Sequence, residues 1–264
     1  KVIPLLIKGK EGIEFDVVCP AIPGYGFSDK PKELGMNAKE VAKLENELML
    51  ALGYTKYIAQ GGDWGSMVSK WIAELFPENC IGLHLNLVIA FPPDGADPMD
   101  GVLPEEIEGM KNLEKYQATG YGYFAIQSTK PQTLGYGLND SPVGLAAWII
   151  EKFHGWANKE SGQLVVPLDE VLAIVSLYWY TESITSSARF YYENGPMGFS
   201  LNKISQPMAG AIFKNEIARP PKVWADEIYN IIQWNQHPGG HFAALENPEI
   251  LAEDIFSYAA KLKI

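Results

Sequence analysis

Short apolar runs rich in β-branched residues alternate, early in the chain, with stretches whose apolar positions recur every three to four residues. Residues 15–22 read as a buried strand, and Pro23-Gly24-Tyr25-Gly26-Phe27-Ser28-Asp29 as the loop after it. Residues 38–52 place Val41, Leu44, Leu48 and Leu52 on one helical face, with Gly53 as the stop. A second strand over 56–60 runs into Gly61-Gly62-Asp63-Trp64-Gly65-Ser66 and then a helix over 66–75. Residues 81–89 form the third strand. This alternation predicts an α/β fold built on a mostly parallel sheet.

After Phe91-Pro92-Pro93 the pattern changes. No strand is expected from there to about Gly198, and helical spacing marks residues 104–117, 143–156, 169–180 and 184–193. The α/β pattern then resumes, with strands over 208–213 and 229–234, a short helix opened by Pro220-Pro221, and an amphipathic helix over 248–262. The expected division is a core of residues 1–90 and 200–264, with residues 91–199 inserted as a helical cap that holds most of the tyrosines.

Composition narrows the function classes. In 264 residues, 21 basic side chains against 32 acidic ones leave a net charge of −11, which disfavours a binder of nucleic-acid phosphates. No apolar run reaches the roughly 18 residues that span a bilayer. Cys19 and Cys80 both sit among apolar neighbours and read as two buried thiols, so the chain is not a disulfide-rich secreted protein. Neither CxxC nor HExxH occurs, and no metal or cofactor is expected.

The chemistry concentrates at strand ends. Gln60-Gly61-Gly62-Asp63-Trp64-Gly65-Ser66 has the strand–turn–helix setting of a nucleophile elbow, with Asp63 where such elbows present the attacking side chain. An aspartate capping a helix would read similarly. Downstream, Glu216 follows the strand over 208–213, and His237-Pro238-Gly239-Gly240-His241 follows the last strand. Nucleophile, acid and histidine in that order match a hydrolase triad. His237 rivals His241 as the base, and Asp226 and Glu227 rival Glu216 as the acid. A carboxylate that attacks an alkyl carbon leaves an ester that water can cleave, whereas serine would leave an inert ether. Asp63 therefore selects alkylating substrates such as epoxides or alkyl halides. An epoxide oxygen needs a proton donor, and tyrosine supplies one without ionising near neutral pH. Tyr121 and Tyr123 form one such site in the cap, Tyr191 and Tyr192 another. An alkyl halide needs only N–H donors, which Trp64 could supply.

These motifs resemble the microsomal type of epoxide hydrolase, within the α/β-hydrolase fold. The resemblance runs through Pro23-Gly24-Tyr25-Gly26-Phe27-Ser28, the Asp63 elbow, Tyr123 with Ile126-Gln127-Ser128-Thr129-Lys130-Pro131, Leu138-Asn139-Asp140-Ser141-Pro142, Arg189-Phe190-Tyr191 and Gly239-Gly240-His241-Phe242-Ala243-Ala244-Leu245-Glu246. It implies Asp63 as nucleophile, His241 as base and Glu216 as the acid that orients it. Tyr123 and Tyr191 become the ring-opening donors, and the Trp64 N–H an oxyanion donor. The substrates implied are a small-molecule epoxide and water. The compartment implied is the cytoplasm or the cytosolic side of a membrane, with any anchor upstream of Lys1. The family's His-Gly-x-Pro loop is missing from this sequence. In the family that loop follows a strand lying between those at 15–22 and 56–60. The expectation is a chain lacking the first strands and active only weakly, if at all, by itself. A haloalkane dehalogenase shares Asp63, Trp64 and His241. A non-catalytic relative acting as a binding module would keep the fold without a triad within hydrogen-bond reach.

Overall fold

The computed structural model describes residues 1–195 and 200–262. Four parallel strands form the main sheet in the order β1 (Tyr57–Gly61), β2 (Cys80–Leu85), β5 (Pro207–Asn215), β6 (Asn230–Gly240). The register aligns Gln60 with His84, His84 with Ala209, and Ala209 with Gln233. Parallel strands need crossovers, and a helix supplies each cheaply. Helix α3 (Trp64–Leu75) returns the chain from β1 to β2 and buries Val68, Ile72 and Ala73 beside Leu83 and Leu85. Helix α2 (Ala38–Ala51) packs beside α3. On the other face, α1 (Val2–Lys8) and α12 (Pro248–Leu262) bury Leu6, Leu251, Ile255 and Phe256 against Ala211 and Phe213 of β5.

Between β2 and β5 the chain runs through a short 3-10 turn (Pro104–Glu106) and the helices α4 (Ile107–Thr119), α5 (Gly122–Thr129), α6 (Pro131–Asp140), α7 (Pro142–Trp156), α8 (Leu168–Tyr180) and α9 (Ile184–Asn194). These helices carry two small cores of their own, one around Leu138, Leu145 and Val175, the other around Phe153, Val166 and Val171. The expected end of this block near Gly198 lies outside the described residues.

Five expectations need correcting. Residues 15–22 form no ladder with any described residue. A strand exists only by pairing, and β1, the end strand on that side, pairs with β2 alone. Phe15 and Val17 instead pack toward α12. The same lack of cover leaves Cys19 exposed, while Cys80 is buried in β2. On α2 the buried stripe is Ala38, Val41, Ala42 and Asn46, and Leu44, Leu48 and Leu52 are exposed. The face that meets α3 is one position out of phase with the leucine stripe, and small residues allow the close approach. A two-stranded hairpin, β3 (Lys159–Glu160) with β4 (Gln163–Leu164), interrupts the helices. Its turn, Ser161-Gly162, has positive φ at both residues, as a two-residue hairpin requires. The third strand ends at Leu85 rather than Ile89: the N–H of Asn86 makes the last bond to β1, donating to Gly61 O, and β1 itself ends at Gly61.

The block between β2 and β5 also contains two helices that the sequence pattern missed. Gly120, Gly122, Pro131, Gly135 and Gly137 lie in or beside α5 and α6. Gly135 is a packing residue. A Cβ there would sit 2.1 Å from Thr185 Oγ1, so α6 reaches α9 only with glycine at the crossing.

Candidate active site

Residue 63 follows β1 and precedes α3, and its backbone is unusual. Asp63 has φ 48° and ψ −129°, a region that non-glycine residues avoid at about 1–3 kcal/mol. Its carboxylate Oδ1 accepts the N–H of Trp64 at 2.7 Å. A simple capping aspartate has extended backbone and accepts from a later N–H in the first turn. Asp63 does neither. Glycine neighbours permit the turn. A Cβ on Gly61 would lie 2.1 Å from Gly65 O, and one on Gly62 would lie 2.3 Å from Asn86 Nδ2.

Two further strand ends complete the cluster. His241, just past β6, places Nε2 3.1 Å from Asp63 Oδ2 and Nδ1 2.7 Å from Glu216 Oε1. Glu216, just past β5, is 1% exposed, and its Oε1 also accepts the N–H of Ile217 at 2.7 Å. The rivals lie elsewhere. His237 binds Asp254 Oδ2 at 2.6 Å, in a buried group that includes His84, Gln233 and Asn235. Asp226 pairs with Lys222 at the surface. Glu227 is an exposed residue directly after that short helix, α10 (Lys222–Asp226).

Electrostatics polarise this cluster of three side chains. Burial opposes charge on Asp63, but the His241 hydrogen bond and charge, with the Trp64 N–H, outweigh it and hold the carboxyl below its ordinary range. Burial likewise opposes protonation of His241. The Glu216 charge and the hydrogen bonds to Asp63 and Glu216 overcome it and hold the imidazolium well above 6.5. The Asp63 side chain is 40% exposed because it faces the cavity.

That cavity measures about 510 Å³ and is lined mainly by apolar and aromatic groups from the sheet edge and the cap helices. Tyr123 and Tyr191 both face it, with ring centroids 5.8 Å apart. Their neighbours do not. Tyr192 is half exposed, and Tyr121 stacks on Phe124 away from the cavity. Burial and the nearby Asp63 charge push both phenols upward, so they stay protonated. Trp64 supplies its backbone N–H to Asp63 and its ring to the wall, 4.9 Å from Phe190 and 5.0 Å from Tyr191.

Sequence reasoning passed over several lining residues. Tyr116 on α4 shares a hydrogen bond with Tyr123, Oη to Oη, at 3.1 Å. No motif marks Tyr116. Trp148, Lys152 and Trp156 recur every fourth residue on α7 and share one face, a readable signal. Lys152 Nζ lies 4.2 Å from the Tyr123 ring centroid, and the Trp156 ring lies 5.2 Å from that of His241. Among the described residues, no cluster of ligating side chains could hold a metal ion. No described helix is long and apolar enough to cross a membrane.

Comparison with known proteins places this geometry. A family model described as alpha/beta hydrolase fold matches residues 2–117. The structure of Aspergillus niger epoxide hydrolase superposes with a TM-score of 0.89 at 33% identity, covering 99% of this chain and 68% of that one. The chain belongs to the epoxide hydrolase family. Epoxide hydrolase 1 of Sus scrofa is 40% identical over 100% of this chain and 65% of its own length. A relative in Stigmatella aurantiaca, provisionally named an epoxide hydrolase, is 44% identical over 97% of this chain and 59% of its own. The chain thus spans about three fifths of the length of the curated relatives it matches.

Proposed function

We propose that this epoxide hydrolase family member converts epoxides to vicinal diols through an alkyl ester on Asp63. The observation that carries the reading is the contact of Asp63 Oδ2 with His241 Nε2 at 3.1 Å, backed by Glu216 at 2.7 Å, with two protonated phenols across the same cavity. In the first step Oδ2 of Asp63 attacks an epoxide carbon while Tyr123 and Tyr191 donate to the ring oxygen. The C–O bond breaks and the oxygen leaves as a hydroxyl. Esterification removes the Asp63 charge, and with it part of what holds the proton on His241. A proton passed from His241 by way of solvent to the phenolate left by ring opening restores the phenol and leaves a neutral imidazole, oriented by Glu216. His241 then takes a proton from water, which attacks Cγ of Asp63. The oxyanion develops on Oδ1, where the Trp64 N–H already donates. Collapse releases the diol and restores the carboxylate.

This reading treats residues 91–199 as the cap and residues 1–90 with 200–264 as the core, and it needs only epoxide and water. The relatives from Bombyx mori and Ctenocephalides felis are named juvenile hormone epoxide hydrolases. Their names, together with the largely apolar cavity, favour an apolar epoxide here. The test is turnover of a small epoxide panel, including styrene oxide, by the wild type and by Asp63→Ala. Diol from the wild type and none from the variant is expected. Bromide release from a bromoalkane without any diol would favour a dehalogenase, and diol from Asp63→Ala would sink the ester route.

A further inference from the structure

The base sits on a loop, and a loop holds a ring in place only if something fixes its backbone. Two carboxyl oxygens do so here. Glu246, at the end of α11 (Ala243–Glu246), accepts the N–H of Phe242 on Oε1 at 2.8 Å. Its Oε2 accepts the N–H of Gly240 at 2.9 Å and that of Asn158 at 2.8 Å. Phe242 and Gly240 flank His241. Asn158 lies just past α7, the cap helix that bears Trp148, Lys152 and Trp156. The N–H of His241 itself donates to Trp156 O at 3.0 Å. The loop and the cap connection touch at Gly240, where a Cβ would lie 2.4 Å from Trp156 O and 3.0 Å from Asn158 N.

We infer that Glu246 is a positioning residue, which aims His241 for ester hydrolysis by clamping the backbone on both sides of it and tying that backbone to the cap. The inference rests on the ester mechanism proposed above. Three N–H groups converge on one side chain, and an anionic acceptor binds them more strongly than a neutral one. Glutamine offers one acceptor oxygen, and its amide group would turn N–H against N–H. Aspartate is shorter by one methylene and cannot reach both ends of the clamp. Alkylation needs Asp63 and the two phenols, none of which Glu246 touches. Hydrolysis needs the His241 ring aligned with water, Asp63 Cγ and Glu216 together. Misplacing a catalytic group by about 1 Å costs up to about 100-fold in rate. The second half-reaction therefore bears the loss.

The test is a single-turnover experiment with styrene oxide on the wild type, Glu246→Gln and Glu246→Asp. Intact mass after acid quenching follows ester formation and decay. Ester decay is a first-order property of the folded adduct, so partial unfolding lowers its amplitude and not its rate. We expect decay to slow about 10-fold to 100-fold in Glu246→Gln, with ester formation within about threefold of wild type. In the steady state, kcat and KM should then fall together. Should Glu246→Gln fail to fold, Glu246→Asp must show the same split. Equal slowing of both steps, or decay at the wild-type rate, would overturn the inference. A wild type that forms no ester would instead bring down the mechanism on which it rests.

Discussion

Replacing Glu216 with glutamine removes one charge from a buried pair while keeping the shape of the side chain. Glu216 Oε1 lies 2.7 Å from His241 Nδ1, and the carboxylate is 1% exposed. Taking about 4 Å between charge centres and an effective dielectric of about 20, the pair is worth about 4 kcal/mol. That energy corresponds to about 3 pKa units of His241 basicity. With half of it expressed in the transition state for proton abstraction, ester hydrolysis slows about 30-fold. A rotated amide that offers N–H to Nδ1 would fix the wrong tautomer and deepen the loss. Alkylation should hold or improve, since His241 then competes less for the Asp63 carboxylate. Rapid mixing with styrene oxide, followed by acid quenching and intact mass, separates the two steps. Accumulation of ester in Glu216→Gln is expected. Decay within about twofold of wild type would refute the assignment of Glu216 as the group that sustains His241.

The tyrosines give a second contrast: Tyr123→Phe and Tyr191→Phe should each cut the alkylation rate about 10-fold to 100-fold, because one O–H donor to the opening ring is lost. Tyr192→Phe, at a half-exposed neighbour, should leave that rate unchanged in the same quench assay. A third prediction concerns stability. Burial alone would raise the Asp254 carboxyl, but hydrogen bonds to His237 and His84, the His84 charge and Asn235 hold it far below its ordinary range. A depressed folded pKa contributes stability that is complete above the unfolded value of about 4 and is lost as pH falls toward the folded value. Asp254→Asn should therefore cost about 3 kcal/mol near neutral pH and flatten the acid side of a melting-temperature profile. A variant that melts like wild type at neutral pH would show that the buried group contributes no net stability.

The parallel α/β order was legible in the sequence because β1, β2 and β5 are short, mostly apolar runs bounded by turn residues, and β6 begins as one. So was the cluster of Asp63, Glu216 and His241, since each stands just beyond the C-terminal end of a strand. Choices that depend on three-dimensional packing were not. Periodicity could not separate Leu44, Leu48 and Leu52 from the stripe that α3 covers, because both run along the same helix at similar spacing. Gly135 lies inside α6, where no helix was expected, and only the approach of Thr185 explains it. Gly239 and Gly240 looked like loop, yet β6 extends to Gly240. As the last strand in the sheet, β6 also tolerates Pro238 on its free edge. The pairing of His237 with Asp254 joins residues 17 positions apart, across β6 and α12, and no local pattern announces it.

Oxygen tracing at Asp63 tests the ester mechanism most directly. With enzyme in excess over epoxide in water enriched in oxygen-18, the diol of a single turnover should carry no label, since its new oxygen comes from Asp63. The label should appear in the peptide that contains Asp63, because water attacks Cγ. Label in the first-turnover diol with an unlabelled Asp63 would mean direct attack by water and would contradict the ester.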